Sequence, residues 1–540
     1  MSAVTDQPPE HRQPASDRGW LRVLLTFFVL LAMAAGLYGT LWWLDFAATG
    51  SPHGPLDLIT HRDARDAMTN MAEITVGILA VALTVVAIVV QLAAARYTSR
   101  IAELFVRDPV NILTTVFLVL TVTQVIWTDM SLFADPYPRV MVATTVAMMS
   151  LAVLILLPYF TYVFRFLAPD QVIARIRRDA TDALDAVSRR GAPAVDRART
   201  EMLTGIDQLA DMVLNAVKGD EKAVAVMSLR GLAEMATAHI ARKGELTPAW
   251  FRTDPLGRGD ADFVTLDPRT LALLEEQHGW VEAKILRAYQ TAYHQALHRI
   301  PDVNHLIAIF TRQLGESAAR SGDAACLRLC NRFLNTFARD SISSRDFRSA
   351  YHVLFEYKRL ALALVDLRLD SEVIEVASRL RFYGRLALAS KGGFVLETAA
   401  HDLCDLLQHM HATGSAAHDA VLDIFLDLDR EPEDEEAALV EQGVRRAQVK
   451  LATYYLARGE QECAERIADD MRGDRTHRLR AVRDELYALV DPEWWEISNR
   501  EVNWDYLPPD QRAFLLPFFA GLGVAAPRSG RQGHKGTEPG

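Results

Sequence analysis

Residues 74–95 read ITVGILAVALTVVAIVVQLAAA, and the chain then passes at once into Arg96-Tyr97-Thr98-Ser99-Arg100. No charge occurs between Glu73 and Arg96. At 1.5 Å per residue, a helix of roughly 22 residues reaches about 33 Å, enough to cross a bilayer core of about 30 Å. A basic and aromatic edge is what such a helix presents to lipid headgroups. An amphipathic turn follows, through Phe105 to Arg107-Asp108. This stretch reads as a membrane span and its exit.

Three more windows of similar length lack charge, so the spans are predicted at about 20–44, 74–95, 109–128 and 140–164. The first is too long for the apolar part of a secretory signal, which runs about 7–15 residues. Trp20, Trp42 and Trp43 fall at its two edges, where an aromatic belt would place them. Arg12, Arg18 and Arg22, then Arg96, Arg100 and Arg107, then Arg165, Arg175, Arg177 and Arg178 lie on one side of a four-span layout. Only Arg62, Arg65 and Arg139 lie on the other. Positive-inside bias therefore predicts both termini in the cytoplasm of a multi-pass protein of the plasma membrane.

Outward from the spans, 1–18 is a polar tail without periodicity, and 526–540 is a Gly/Arg-rich one. Residues 167–248 carry helical stripes such as Ile173, Ile176, Ala180, Leu184 and Val187. Residues 249–525 form a further helical domain. The Gly/Asp/Pro-rich start of that domain, Ala249–Asp267, is read as irregular with one short strand at Phe263–Leu266. Turn signals recur at Ser321-Gly322, Asp370-Ser371, Gly414-Ser415 and Arg458-Gly459, in steps of 48, 44 and 45 residues. Each step holds a pair of helices, and Ala452, Tyr455, Gly459 and Ala464 match the spacing of a tetratricopeptide-like hairpin. The fold class is all-α: a four-helix transmembrane region, then a cytoplasmic all-helical domain with the spacing of a short TPR- or HEAT-like solenoid. The aromatic-dense stretch Pro492–Pro517 is read as docking on that array.

The chain carries a net charge of −11, of which the soluble part holds −8. That balance offers no basic footprint for nucleic acid. Cys326, Cys330, Cys404 and Cys463 read as reduced thiols of a cytoplasmic compartment. No phosphate-binding loop, nucleophile elbow or zincin motif occurs. His294 and His298 are four apart, but Gln295 stands where a zincin has its Glu. His401, His409, His411 and His418 cluster in sequence without ligand spacing on one face. No metal, cofactor or catalytic residue is assigned, and the chain is read as no enzyme. Within the spans, Gln91 and Gln124 are the strongest polar groups, with Thr75, Thr84, Thr114, Thr121 and Thr123. They are read as bonding between helices, with a pore lining as the alternative.

Gln91-Leu92-Ala93-Ala94, Arg96, Tyr97-Thr98-x-Arg100-Ile101, Phe105 and Arg107-Asp108 resemble the signature of the DUF2254 family of predicted bacterial membrane proteins. The resemblance covers about residues 20–180. It implies a bacterial inner-membrane protein of a family without assigned activity, and it names no catalytic residues. Farther on the chain lacks the Asn-Asp-Pro-Phe-Thr-Ala-type segment of that family. The functional expectation is an anchor or scaffold in the lipid bilayer whose helical domain binds a protein partner or forms a homo-oligomer. An oligomeric channel or transporter is the alternative.

Overall fold

A computed structural model describes Ala32 and residues 61–96, 100–131, 139–428, 435–493 and 503–526. The predicted first span lies outside them, apart from Ala32, which is helical. The chain forms two compact units, Met1–Ile176 and Arg177–Gly540.

In the first unit α1 spans His61–Arg96, α2 Arg100–Arg107, α3 Pro109–Ser131 and α4 Arg139–Phe166. Three of these are long and apolar enough to cross a membrane: Thr69–Ala94, Pro109–Met130 and Met141–Phe166, with mean hydropathies of 2.7, 1.9 and 2.2. The helix containing the second predicted span starts at His61, well before residue 74. Nothing from His61 to Asn70 breaks a helix, so the backbone ladder continues beyond the apolar window.

Leu79, Ala82, Leu118, Ala152 and Leu156 form the small core where α1, α3 and α4 meet. Their outward faces remain apolar: Val81 and Leu92 are each 65% exposed and Leu113 is 72% exposed. Exposed apolar residues of this kind mark faces that meet lipid or another protein surface.

Among its described residues the second unit consists of helices joined by turns and short irregular links, with no strand. It takes in most of α5 (Pro169–Arg190), then α6 (Val195–Lys218), α7 (Lys222–Arg242) and α8 (Trp280–Ala296). Next come α9 (Pro301–Arg320), α10 (Ala324–Ser343), α11 (Phe347–Asp366), α12 (Asp370–Ala389) and α13 (Gly393–Thr413). The chain closes through α14 (His418–Leu426), α15 (Glu435–Arg458), α16 (Gln461–Met471), α17 (Thr476–Ala488) and two short turns of helix. The strand predicted at Phe263–Leu266 is instead a helical turn, Ala261–Val264. Asp260 caps it through Asp262 N at 2.9 Å, and Asp267 caps the next helix through Arg269 N and Thr270 N. Two caps seven residues apart leave no room for an extended run.

Helices α9 to α13 begin at residues 301, 324, 347, 370 and 393, one every 23 residues. Each packs on the helix after it, and alternate helices such as α9 and α11, or α11 and α13, also pack together. The turns are alike. Gly322, Arg345, Arg368, Lys391 and Gly414 all have φ between 58° and 75°. After each of them the next amide reaches back five residues to a carbonyl, as Asp323 N does to Ala318 O at 2.8 Å and Gly392 N to Ala387 O at 2.8 Å. This is the Schellman closure, which satisfies carbonyls left over at a helix C-terminus.

Three of the five turns place Arg or Lys where glycine is most at ease. At Arg368 the guanidinium compensates by donating to Thr413 O at 2.7 Å and Gly414 O at 3.1 Å, two helices further on. Arg345 is exposed at its turn. We therefore expect Arg345→Gly to raise unfolding free energy by about 0.5–1 kcal/mol and Arg368→Gly to give no gain. Urea melts of the two variants compare them directly.

The aromatic C-terminal segment docks on this array where it is described. The Trp504 ring stacks on His401 at 5.3 Å, its carbonyl accepts from Lys450 Nζ at 2.9 Å, and Asp505 pairs with Arg446 at 2.9 Å. Leu507, Leu515, Phe518 and Phe519 are buried behind it. Trp494 and Trp495 lie outside the described residues.

Candidate functional site

Helix α2 ends at Arg107 and α3 begins at Pro109, so Asp108 stands between them as an N-cap with proline at the first helical position. Its Oδ1 accepts from Val110 N at 3.1 Å and Asn111 N at 3.3 Å. The same oxygen accepts the Tyr162 hydroxyl of α4 at 2.5 Å. Asn111, buried one turn on, donates to Phe105 O at 3.1 Å and accepts from the Tyr159 hydroxyl at 2.5 Å. Tyr159 and Tyr162 are three residues apart and share one face of α4. The α2–α3 corner is thus tied to α4 by two phenol groups. Phe105 is buried and meets Phe166 edge-on at 5.7 Å, and the Arg175 guanidinium lies 4.1 Å from the Phe166 ring centre.

A second polar layer sits at the far end of α3. Thr128 and Thr145 share a hydrogen bond at 2.7 Å between α3 and α4, and Thr69 donates to Asp129 at 2.8 Å between α1 and α3. Asp108 and Asp129 are about 31 Å apart along a helix at 1.5 Å per residue, close to the thickness of a bilayer core. Between them the helix is held by apolar packing.

This corner falls in the part of the chain that a family model recognises. Residues 18–242 match DUF2254, described as a predicted membrane protein. The DUF2254 match takes in the spans and the Asp108 corner and ends with α7 at Arg242. No curated protein and no solved structure matches the chain.

Of the DUF2254 signature residues picked from the sequence, Phe105 and Asp108 come together in the corner. Arg107 is exposed beside them. Arg96 and Arg100 are helical in backbone, and Tyr97 lies outside the described residues. Gln91 is exposed near the Arg96 end of α1. Gln124 turns back on its own helix, with Nε2 3.4 Å from Thr128 Oγ1. Thr84, Thr121 and Thr123 likewise donate to carbonyls four residues earlier, at 2.7–2.9 Å. Thr128, Thr145, Asn111 and the two tyrosines bond between helices, and the Thr128 and Thr145 hydroxyls also reach carbonyls four residues earlier, at 2.8 and 2.9 Å. Their signal in the sequence was position: polar groups at the two ends of a span.

In the second unit two sets of buried charged groups form networks. Trp250 Nε1–H donates to His239 Nε2 at 2.9 Å, and His239 Nδ1 lies 2.7 Å from Glu282 Oε1. An indole only donates, so His239 Nε2 accepts and its proton sits on Nδ1, facing the carboxylate. Lys243 Nζ stands 3.2 Å from the same Glu282 oxygen and 2.7 Å from Asp323. Burial pushes the Glu282 carboxyl up, but the His239 ring and the Lys243 ammonium more than offset this and hold it at about 2. With both ring nitrogens committed, His239 is not placed to move a proton for a substrate.

Lys284, buried to 2% side-chain exposure, meets Asp207, Asp260 and Asp262 at 2.8 Å each, which satisfies its three N–H bonds. His294 is helical, whereas His298 lies past the end of α8 with φ 61° and its ring on Ser344 O at 2.9 Å. The two do not share a helix face. Cys326, Cys330 and Cys404 are buried free thiols, and Cys463 is half-buried.

Proposed function

We propose that the chain is a scaffold of the bacterial inner membrane, with both termini in the cytoplasm, whose helical array binds a protein partner or a second copy. One observation carries this reading: the even 23-residue succession of antiparallel helices from α9 to α13, an arrangement that offers extended surfaces for binding. Phe382 on α12 and Phe394 on α13 remain 48% and 47% exposed, large aromatic side chains of the kind that anchor interfaces. The reading assigns no catalysis and no cofactor.

A photo-crosslinking amino acid in place of Phe382 or Phe394, irradiated in native membranes, is expected to give a discrete protein adduct from at least one position. Adducts with lipid alone, or none, would count against the reading. The topology half is tested separately. A phosphatase that works only in the periplasm, fused after Phe166, is expected to be inactive.

The exposed Gln91 supports a second reading, a pore between copies of the first unit. Conductance of liposomes carrying the protein, lost on Gln91→Leu, would favour it over the scaffold.

A further inference from the structure

We propose that His418, Asp419 and Cys463 form a site for a divalent transition metal of the zinc class. His418 and Asp419 open α14, four and five residues after the left-handed turn at Gly414. Cys463 sits in the first turn of α16, four residues after the left-handed turn at Gly459. The two turns lie next to each other, and the three side chains offer ligand atoms that all fall within 4.8 Å of one another. Ligands about 2.0–2.3 Å from a tetrahedral ion stand roughly 3.3–3.8 Å apart, so closure needs movement of only about 1 Å.

The surroundings fit. His418 Nε2 meets the Tyr455 hydroxyl at 2.7 Å, which leaves Nδ1, 3.3 Å from Asp419 Oδ1, as the nitrogen facing the cluster. A metal-bound imidazole has its other nitrogen held in just this way. Arg466 is 3.4 Å from Asp419 but 2.5 Å from Asp423. It therefore keeps a partner when Asp419 turns to a cation. One imidazole, one carboxylate and one thiolate give a mixed set that favours zinc or cobalt over magnesium or calcium. Their two negative charges neutralise a divalent ion. The thiol proton leaves to solvent on binding, and water fills the fourth position. The ion would clip the turn that precedes α14 to the turn that precedes α16.

The test uses the full-length protein in detergent, stripped with a chelator and titrated with Co²⁺ alone. One equivalent is expected to bind with a thiolate-to-cobalt charge-transfer band in the near ultraviolet. Cys463→Ser is expected to abolish that band while circular dichroism keeps its helical signal, and Cys326→Ser to retain it. Tyr455→Phe is expected to keep the band but to weaken affinity by roughly 10–100-fold. Absence of the band from the unsubstituted protein, its survival in Cys463→Ser, or its loss in Cys326→Ser would each overturn the proposal.

Discussion

Replacing Glu282 by leucine is expected to destabilise the second unit by about 3–5 kcal/mol, the cost of stripping the partner from a buried charge. The carboxylate is fully buried and serves two neighbours, His239 Nδ1 at 2.7 Å and Lys243 Nζ at 3.2 Å. Leucine offers neither an acceptor. Lys243 keeps Asp323, at 2.7 Å, so the loss falls mainly on the His239 N–H and on the desolvated side of the ammonium. Glu282→Gln retains one carbonyl acceptor and is expected to lose less, about 1–3 kcal/mol. Trp250 and Trp280, 5.2 Å apart and buried beside the network, report unfolding by fluorescence in urea.

The same residue predicts an acid limb. The folded carboxyl sits at about 2 against an ordinary value of 4.5, so its ionised form binds the fold more tightly than its neutral form does. Its stabilisation is complete above the ordinary value and disappears as pH falls towards about 2. In Glu282→Gln this part of the pH dependence is expected to be missing. An unchanged acid limb in that variant would refute the assignment.

Lys284→Met is expected to cost a similar amount, about 3–5 kcal/mol, for the opposite reason: it abandons carboxylates instead of cations. Asp260, at 7% side-chain exposure, cannot recover water, whereas Asp207 and Asp262 are 56% and 39% exposed and remain partly screened. Burial works against the Lys284 charge, but the hydrogen bonds it donates to the three carboxylates hold its pKa above the ordinary lysine value. Its contribution is therefore intact at neutral pH and lost only as pH rises through that raised value. The variant behaves differently. Its loss is expected to shrink as pH falls, because Asp207, whose carboxyl burial already pushes up, takes a proton and relieves the crowding. Denaturation midpoints of the two proteins, compared from neutral to mildly acidic pH, should converge. Lys284→Arg is expected to fall short of full stability, since a planar fork cannot meet three oxygens placed around a compact ammonium.

How far the sequence disclosed this architecture depended on the kind of signal. Charge-free windows such as 74–95 are readable because no side-chain chemistry competes with the hydrophobic run. The helix pairs were readable where glycine marked their turns, at Gly322, Gly414 and Gly459. The turns at Arg345 and Lys391 were not, because a basic residue with φ near 60° carries no turn signature, whereas Asp370-Ser371 marked the turn at Arg368. Hence steps of 44–48 residues were visible where the structure steps by 23.

The Asp108 corner was half legible. Phe105 and Asp108 stood out, but the tyrosines that hold them come from α4, about 50 positions later, and only the fold brings them near.

The even register of α9 to α13 restricts how such a chain can grow or shrink. Adjacent helices point in opposite directions, so duplicating or deleting a block of 46 residues, two helices at 23 each, returns the chain to its former heading. A block of 23 would instead reverse everything downstream, sending α15 and the Trp504 segment to the wrong end of the stack. Length variation among homologous arrays should therefore come in even numbers of helices.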